Sequence, residues 1–490
     1  MTDAVQRVVV HGGGIAAAMA ALAVARAFSR LGTTVTWVET AQATDHHAAL
    51  TAPPDLATFH RLLGIDEAAL VADAAATINM GQQFAGWSGG EGAFVHAYGD
   101  AGSAFASLPF VQHWTRARQA GLGVGLEDFC LAAAAAKQGR TGSLRDSATR
   151  QAVKQGWNLD AAGYARLLRR ACERAGVVIV PGDGATLQRN DARPWFDGIV
   201  LADGRKLSAD LFIDAGGALI VALDPDGATT RPACCDRMMR GSVPAFDPLP
   251  LFGRVAAHAA GWLSFIPLAG RTAIEFAYDS RLLSDADAPA VLAALVGRPV
   301  DPGEPTPLGN TVRPRPWLGN VVAVGPAGGD APALDGGELL LLQLAIAQLV
   351  LLWPIDRTAM PEADIYNEEI AGAWARVTDF TAQHFRLNRR AGEPFWDAAR
   401  AAPISAELAS KIDLFAARGM FAHFNHEAHV EDSWALVMAG HGVVPRSFDP
   451  QASLVDDQGL MAEFQRQLRA VATDVHAMET HADALRRMRG

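Results

Sequence analysis

The stretch Val8-Val9-Val10-His11-Gly12-Gly13-Gly14-Ile15-Ala16-Ala17 decides the fold. Three β-branched apolar residues predict a buried strand, the glycines interrupt it, and the alanine-rich run Ile15 to Leu31 predicts a helix that Gly32 ends. A second strand, Thr33 to Val38, closes on Glu39, somewhat beyond about twenty residues past the glycines. Gly12, Gly14 and Ala17 make the Gly-x-Gly-x-x-Ala variant of the dinucleotide fingerprint. In that pattern Gly12 permits the tight turn, Gly14 lets the backbone approach a pyrophosphate, and Ala17 keeps helix and strand close. The helix N-terminus supplies donors and positive potential for phosphate, and the acid at Glu39 can accept from ribose hydroxyls.

Two further strand-to-glycine turns lie far downstream. One is Ala209 to Gly217, a buried strand that ends on Asp214 before Gly216 and Gly217; the other runs from Trp317 through Gly325 to Gly328. Three such turns predict an α/β protein with a Rossmann-like FAD-binding domain of the flavin monooxygenase type, assembled from residues 1–90, 150–220 and 308–360. On this reading Asp214, Gly325 and Gly328 join Gly12, Gly14, Ala17 and Glu39 as cofactor-binding residues. Residues 221–307, strand-rich from Arg240 to Tyr278, are expected to form an inserted sheet on the substrate side. Residues 361–490 carry amphipathic runs such as Glu362 to Arg386 and Leu460 to Leu485, which predict a helical lid region. Residues 91–149, with the Gly/Arg/Ser-rich Gly139 to Asp146, are expected to be an irregular insertion or mobile loop.

At 490 residues the chain can bury a large core divided among two or three subdomains. A net charge of −11 excludes a phosphate-backbone partner, which needs a basic surface. The four cysteines, Cys130, Cys172, Cys234 and Cys235, have neither disulfide-framework nor metal spacing, and the pair Cys234-Cys235 is expected to be inert. A cytoplasmic location is the expectation, since the chain runs directly into its first strand with no room for a signal peptide. The apolar run Leu339 to Trp353 is broken by Gln343 and Gln348 and stopped by Pro354, so it predicts a buried helix and no membrane span. His46-His47 would point to opposite faces of a strand, so no metal site is expected.

With these turns in place, the residues resemble the flavin-dependent tryptophan halogenase family, within the FAD-dependent monooxygenase class. The resemblance runs in order through Phe59 to Asp66, Asn158 to Val177, Gly261 to Pro267, Trp317 to Gly328, Tyr366-Asn367, Phe395-Trp396, and Ser433 to Pro445. It implies FAD reduced by a separate flavin reductase, reaction with oxygen, and oxidation of halide to hypohalous acid that passes down a tunnel to an indole. It also implies a lysine that relays the oxidant and a glutamate that assists.

At four places the resemblance carries different residues. The family's lysine falls on Asn79, which has no amine. The assisting glutamate falls on Asp335, and the halide-holding positions after it fall on Gly337 and Glu338. A carboxylate within about 4 Å of a halide costs several kcal/mol at an intermediate dielectric, so halide is disfavoured there. The motif with two tryptophans before Ile-Pro reads Trp262-Leu263-Ser264-Phe265-Ile266-Pro267, with Ser264 at the second tryptophan. The Gly-Glu-Ala-Thr turn near the flavin reads Ala49-Leu50-Thr51-Ala52.

These substitutions lead to the expectation of a flavin-dependent oxidoreductase on an aromatic, indole-like substrate, either a small molecule or a peptide, that is not a conventional halogenase. Asp335, Asn79, Trp262 and Ser264 are its candidate catalytic residues. A silent homologue serving as a binding or partner subunit, and a halogenase with a relocated relay residue, stay open. Asp335 could instead cap the helix starting near Gly337, and His441 could be a loop histidine satisfied by backbone. A homodimer is expected only by analogy.

Overall fold

The computed structural model describes residues 4–42, 45–90, 92–232 and 234–489. Its central sheet runs in the order Trp317–Leu318, Val321–Ala323, Leu211–Asp214, Arg7–Gly12, Thr34–Glu39, Val178–Pro181. The last five strands are mutually parallel, and Trp317–Leu318 is antiparallel to its neighbour. Parallel strands are covered on both faces, which is why Val8 to Val10 read as an unbroken apolar run. Helix Gly14–Phe28 covers one face with Ala16 to Ala25 entirely buried. Its small side chains let helix Ala161–Arg174 approach so closely that the Cys172 thiol donates to the Ala18 carbonyl at 3.2 Å.

The three glycine turns meet at the carboxyl edge of this sheet. A Cβ on Gly12, whose φ is +134°, would lie 2.7 Å from the Gly216 nitrogen, and one on Gly325 would lie 2.7 Å from the Ala16 Cβ. Segments some two hundred and three hundred residues apart are thus held in backbone contact, as the discontinuous assembly requires.

A second sheet of seven strands has the order Asp301–Pro307, Arg237–Pro244, Arg271–Tyr278, Gly261–Pro267, Gly253–His258, Gly81–Ala85, Ala93–Ala97. Its first five strands come from the expected insertion. The last two do not: residues 81–85, expected in the first cofactor segment, extend the substrate-side sheet through the parallel pairing of Gln82 with Gly253.

Residues 91–149 also differ from the expected irregular loop. They contain strand Ala93–Ala97 and helices Phe110–Gln119 and Leu131–Lys137. The reason is aromatic burial: Phe110 and Phe129 both pack on Phe464 of helix Asp457–Ala477, with ring centroids 5.2 Å apart in each case. After residue 361 the chain is helical, including Glu362–Arg386 and Glu431–Gly440. The apolar run forms the buried helix Gly337–Leu351. Among the described residues one helix, Gly14–Leu31, is long and apolar enough to cross a membrane, and it is the helix packed on the central sheet.

Gly81 is the tightest point between the two terminal strands of the second sheet, because a Cβ there would lie 2.1 Å from the His96 carbonyl oxygen and φ is +148°. Gly81→Ala is therefore expected to destabilise the protein by about 3 kcal/mol or more. Denaturant titration of both forms checks this; a change below about 1 kcal/mol would contradict the tight approach.

Candidate functional site

The first part of the site is a groove of about 600 Å³ beside the opening turn, lined by Gly14, Glu39, Thr40, Gln42, Arg169 and Asp183 among others. Helix Gly14–Phe28 begins here with no side-chain cap and no acid in its first turn, so its first amides stay free for an anion. Glu39 lies at the end of its strand, with Arg169 3.3 Å from its carboxylate. These features fit an adenine dinucleotide: the helix start would hold the pyrophosphate, and Glu39 the ribose. Ala17 is fully buried against the sheet, as close packing requires.

Asp214 departs from its expected role. It is fully buried, and its oxygens accept from the amides of Gly216, Gly217 and Ile220 at 2.8 to 3.1 Å. It shapes the second turn and does not line the groove. Gly325 and Gly328 belong to the third turn, where Gly325 meets Ala16. Sequence reading missed Gln42, whose amide oxygen would lie 2.2 Å from a Cβ on Gly14.

A smaller pocket of about 110 Å³ lies where the second sheet meets the third turn, bounded by Leu50, Thr51, Ser264, Glu275, Gly337 and Glu338. Ser264 pairs across the sheet with Glu275, and Glu275 with Arg240, so these three side chains share one face. Arg240 binds Glu275 at 3.3 Å and Asp45 at 3.4 Å. Burial pushes the Glu338 carboxyl up, and the charge of Glu275 pushes it further against the opposing pull of Arg240. Glu275 is likewise raised, by burial. Two carboxyls thus face one guanidinium in this pocket.

Asp335 lies just before that helix but does not cap it. Asp335 and Gly336 both have positive φ, +56° and +70°, and Gly336 is the N-cap. The carboxylate turns instead toward two histidines. Strand pairing sets Gln82 opposite His96; Gln82 accepts from the Asp335 amide at 3.2 Å, and His96 Nδ1 lies 3.2 Å from Asp335 Oδ1. His384 Nε2 faces the other oxygen at 3.2 Å, and its Nδ1 is 3.1 Å from His441 Nε2.

A carboxylate only accepts, so each imidazole nitrogen facing it carries the proton. His384 then accepts at Nδ1, which makes His441 the donor through Nε2. His441 Nδ1 and His96 Nε2 are left as lone pairs without a partner among the described residues. Burial alone would raise Asp335, but His384 and His96 against its oxygens carry it below the ordinary carboxylate range. Burial keeps His384 and His441 neutral, lowering both despite the carboxylate nearby.

Asn79 is fully buried beside this cluster. Its carbonyl accepts from the Gly81 amide at 3.2 Å and its amide donates to the Tyr98 hydroxyl at 3.5 Å. Rings close the space around it: Phe84 stacks on His384 at 4.0 Å and Phe380 on His429 at 3.7 Å, where burial pulls His429 down to about 3. Tyr98 links Asn79, which it bonds, to the charge of Asp335, while Ser264 lines the smaller pocket and Trp262 a separate cavity that shares Ala331 to Ala333 with it. His441 is tied to His384, not to backbone through its ring. Trp396 is core, donating to the His258 carbonyl at 2.8 Å. His96, His384 and His429 lie on separate elements far apart in sequence, with no spacing that would have marked them.

Residues 7–457 match the family model for tryptophan halogenase. The chain is 27% identical over 487 residues to tryptophan 7-halogenase KtzQ of Kutzneria sp. (strain 744), covering 90% of each chain. It is 25% identical over 498 residues to tryptophan 7-halogenase RebH of Lentzea aerocolonigenes, covering 92% of each. Among solved structures, BrvH, a flavin-dependent halogenase from Brevundimonas sp. BAL3, superposes with a TM-score of 0.91 at 27% identity and 99% coverage of both chains. Xcc4156, a flavin-dependent halogenase from Xanthomonas campestris, gives 0.92 at 29% identity over 99% of this chain and 98% of that one.

Two substitutions separate the two acids. Asp335→Asn leaves one imidazole facing an amide, and is expected to cost about 2 kcal/mol near neutral pH. Because the folded-state pKa of Asp335 is depressed, that difference should shrink as pH falls through the carboxylate range. Glu338 is the opposite case: its folded pKa is raised, so its ionised form destabilises as pH rises. Glu338→Gln should therefore raise the melting temperature more at about pH 8 than at about pH 5. A pH-independent gain in thermal melts would contradict the raised Glu338.

Proposed function

The chain belongs to the tryptophan halogenase family, and we propose that within it the chain is an FAD-dependent oxidoreductase that acts on an aromatic, indole-like substrate without the lysine relay of a conventional halogenase. Reduced FAD comes from a separate flavin reductase, as for the family. When bound, the flavin supplies two electrons to O₂; one oxygen atom enters the substrate as a hydroxyl and the other leaves as water. What this chain's own residues contribute is binding and exclusion. The first helix start and Glu39 hold the dinucleotide, while Leu50, Thr51 and Ser264 bound the pocket on the substrate-side sheet.

The observation that carries the reading is the state of Asn79 and Asp335. Asn79 is buried, offers no basic nitrogen, and spends its amide on Gly81 and Tyr98. Asp335 is held between His96 and His384. Glu338 also lines the neighbouring pocket where the family resemblance places a glycine, so its side chain takes up room at the halide position. Ser264 in place of a second tryptophan leaves the wall between the smaller pocket and the space beyond thinner, as direct oxygen transfer requires.

One observation favours a second reading. His96 Nε2, on the ring that faces Asp335, and His441 Nδ1, on the ring tied to His384, have no partner among the described residues and stand where a relocated relay group would.

Product mass separates the two. With reduced FAD, O₂, bromide and indole supplied together, the product is expected to gain one oxygen atom whether or not bromide is present. A product carrying bromine would overturn this reading and favour the histidines as relay. Asn79→Lys alone is expected to leave the product unbrominated, because Glu338 is untouched. Bromination by that single variant would show that Glu338 does not exclude halide.

A further inference from the structure

A second cavity lies against the smaller pocket, and the reading above gives it no role. Its volume is about 600 Å³, within the usual range for small-molecule sites. Its walls are apolar, built from Trp262, Trp374, Phe385, Leu308, Leu334 and Ile404. It shares Leu308, Ala331, Pro332 and Ala333 with the pocket that contains Ser264 and Glu338. A molecule here is one short segment away from the chemistry.

Strand Gly261–Pro267 links the two spaces. Alternation sets Trp262 and Ser264 on the same face, with Trp262 on the larger cavity and Ser264 on the smaller. Cys234 and Cys235 also line the larger cavity, and burial pushes Cys234 up to about 11 and Cys235 well above its ordinary value. Both are protonated thiols that add to its apolar lining.

Two donors in this lining have unmet capacity. Trp262 is 5% exposed, and its indole N–H has no partner among the described residues. A buried donor left unpaired costs about 1–3 kcal/mol unless something else accepts from it. Arg231 is the second. Its guanidinium donates to Thr378 Oγ1 at 3.2 Å and to the Asp330 carbonyl, and lies 5.4 Å over the Trp374 ring, while its Nε has no partner. Both acceptors are neutral; the Asp330 carboxylate attracts it, but no carboxylate is within ion-pair distance of it among the described residues.

The neighbouring acids already have partners, although Asp379 Oδ2 makes no hydrogen bond among the described residues. Asp379 accepts from Ser405 at 2.7 Å and lies 3.0 Å from Arg376. Asp330 accepts from the Thr311 amide and hydroxyl at 2.9 and 2.8 Å. A half-buried guanidinium at the edge of an apolar cavity, with no carboxylate in direct contact, is completed by an anion brought by the ligand.

We propose that this cavity is the substrate site and that it takes a flat aromatic acid, with its ring system among Trp262, Trp374 and Phe385 and its carboxylate on Arg231. The proposal rests on the oxidoreductase reading and narrows its substrate class. A zwitterionic amino acid fits poorly, because its ammonium would find only Asp379, whose carboxyl is raised by burial and beside which the Arg376 cation already lies at 3.0 Å.

The test measures ligand binding to the full chain without flavin, by calorimetry, using naphthoate, its neutral isostere naphthamide, and tryptophan. Naphthoate is expected to bind roughly tenfold or more tightly than either competitor. Arg231→Gln should erase the difference between acid and amide. Ala382→Trp, which places an indole in the cavity lining, should abolish binding of both. FAD binding by these variants should be unchanged, since the dinucleotide groove is lined by other residues.

The acid/amide comparison on the unaltered protein stands even if a variant fails to fold. Equal affinity for acid and amide, absence of binding by naphthoate, tighter binding of tryptophan, or naphthoate binding that survives Ala382→Trp would each overturn the proposal. Loss of FAD binding with naphthoate binding intact would instead strike the flavin reading and leave the cavity assignment standing.

Discussion

The backbone approach of Gly12 to Gly216 and of Gly325 to Ala16 is the constraint on which the rest of the structure depends. Side chains at these glycines would hold the three turns apart, and the parallel strands that end in them would lose their common edge. The third turn leads directly into residues 330–338, so its placement decides where the Ala331 to Ala333 segment, Asp335 and Glu338 stand. That segment separates the smaller pocket from the larger cavity. Cofactor groove, pocket and cavity are therefore one consequence of how closely three pieces of backbone can meet.

Asp335 and Glu338 lie three residues apart and are driven in opposite directions. Both suffer the same desolvation; what differs is the company. Asp335 gains two imidazole donors and stays ionised, while Glu338 meets a second carboxyl, Glu275, whose own arginine is shared with Asp45. A buried acid surrounded by donors is a fixed charge that organises its neighbours. A raised acid in a pocket holds its proton more readily and is the weaker anion of the two. Two acids three residues apart thus form a locked network on one side and a proton-holding wall of a pocket on the other.

Much of this was legible in sequence because it rests on local pattern. Strand, glycine turn, alanine-rich helix and terminal acid need only one stretch, and Gly12, Gly14, Ala17 and Glu39 stand where that pattern places them. The helix at Gly337 and the strand-rich stretch from Arg240 to Tyr278 follow from the same kind of signal. What escaped depends on distant partners. Asp214 looked like a strand-end ligand, but its bonds to Gly216, Gly217 and Ile220 appear only once the turn closes. The histidines around Asp335 come from a strand, a long helix and a helix C-terminus, and nothing in their spacing brings them together. Residues 91–149 read as irregular because their helices are short and are held by Phe464, far along the chain.

The central claim is that this chain holds a flavin, and an anaerobic titration of the purified protein with FAD and with dithionite-reduced FAD, followed by flavin fluorescence and absorbance, tests it most directly. The account predicts saturable binding of both redox states at micromolar concentration, with loss of binding in a Gly14→Val variant whose side chain would enter the groove. Absence of binding by either redox state would contradict it and leave the three converging turns as packing without a ligand.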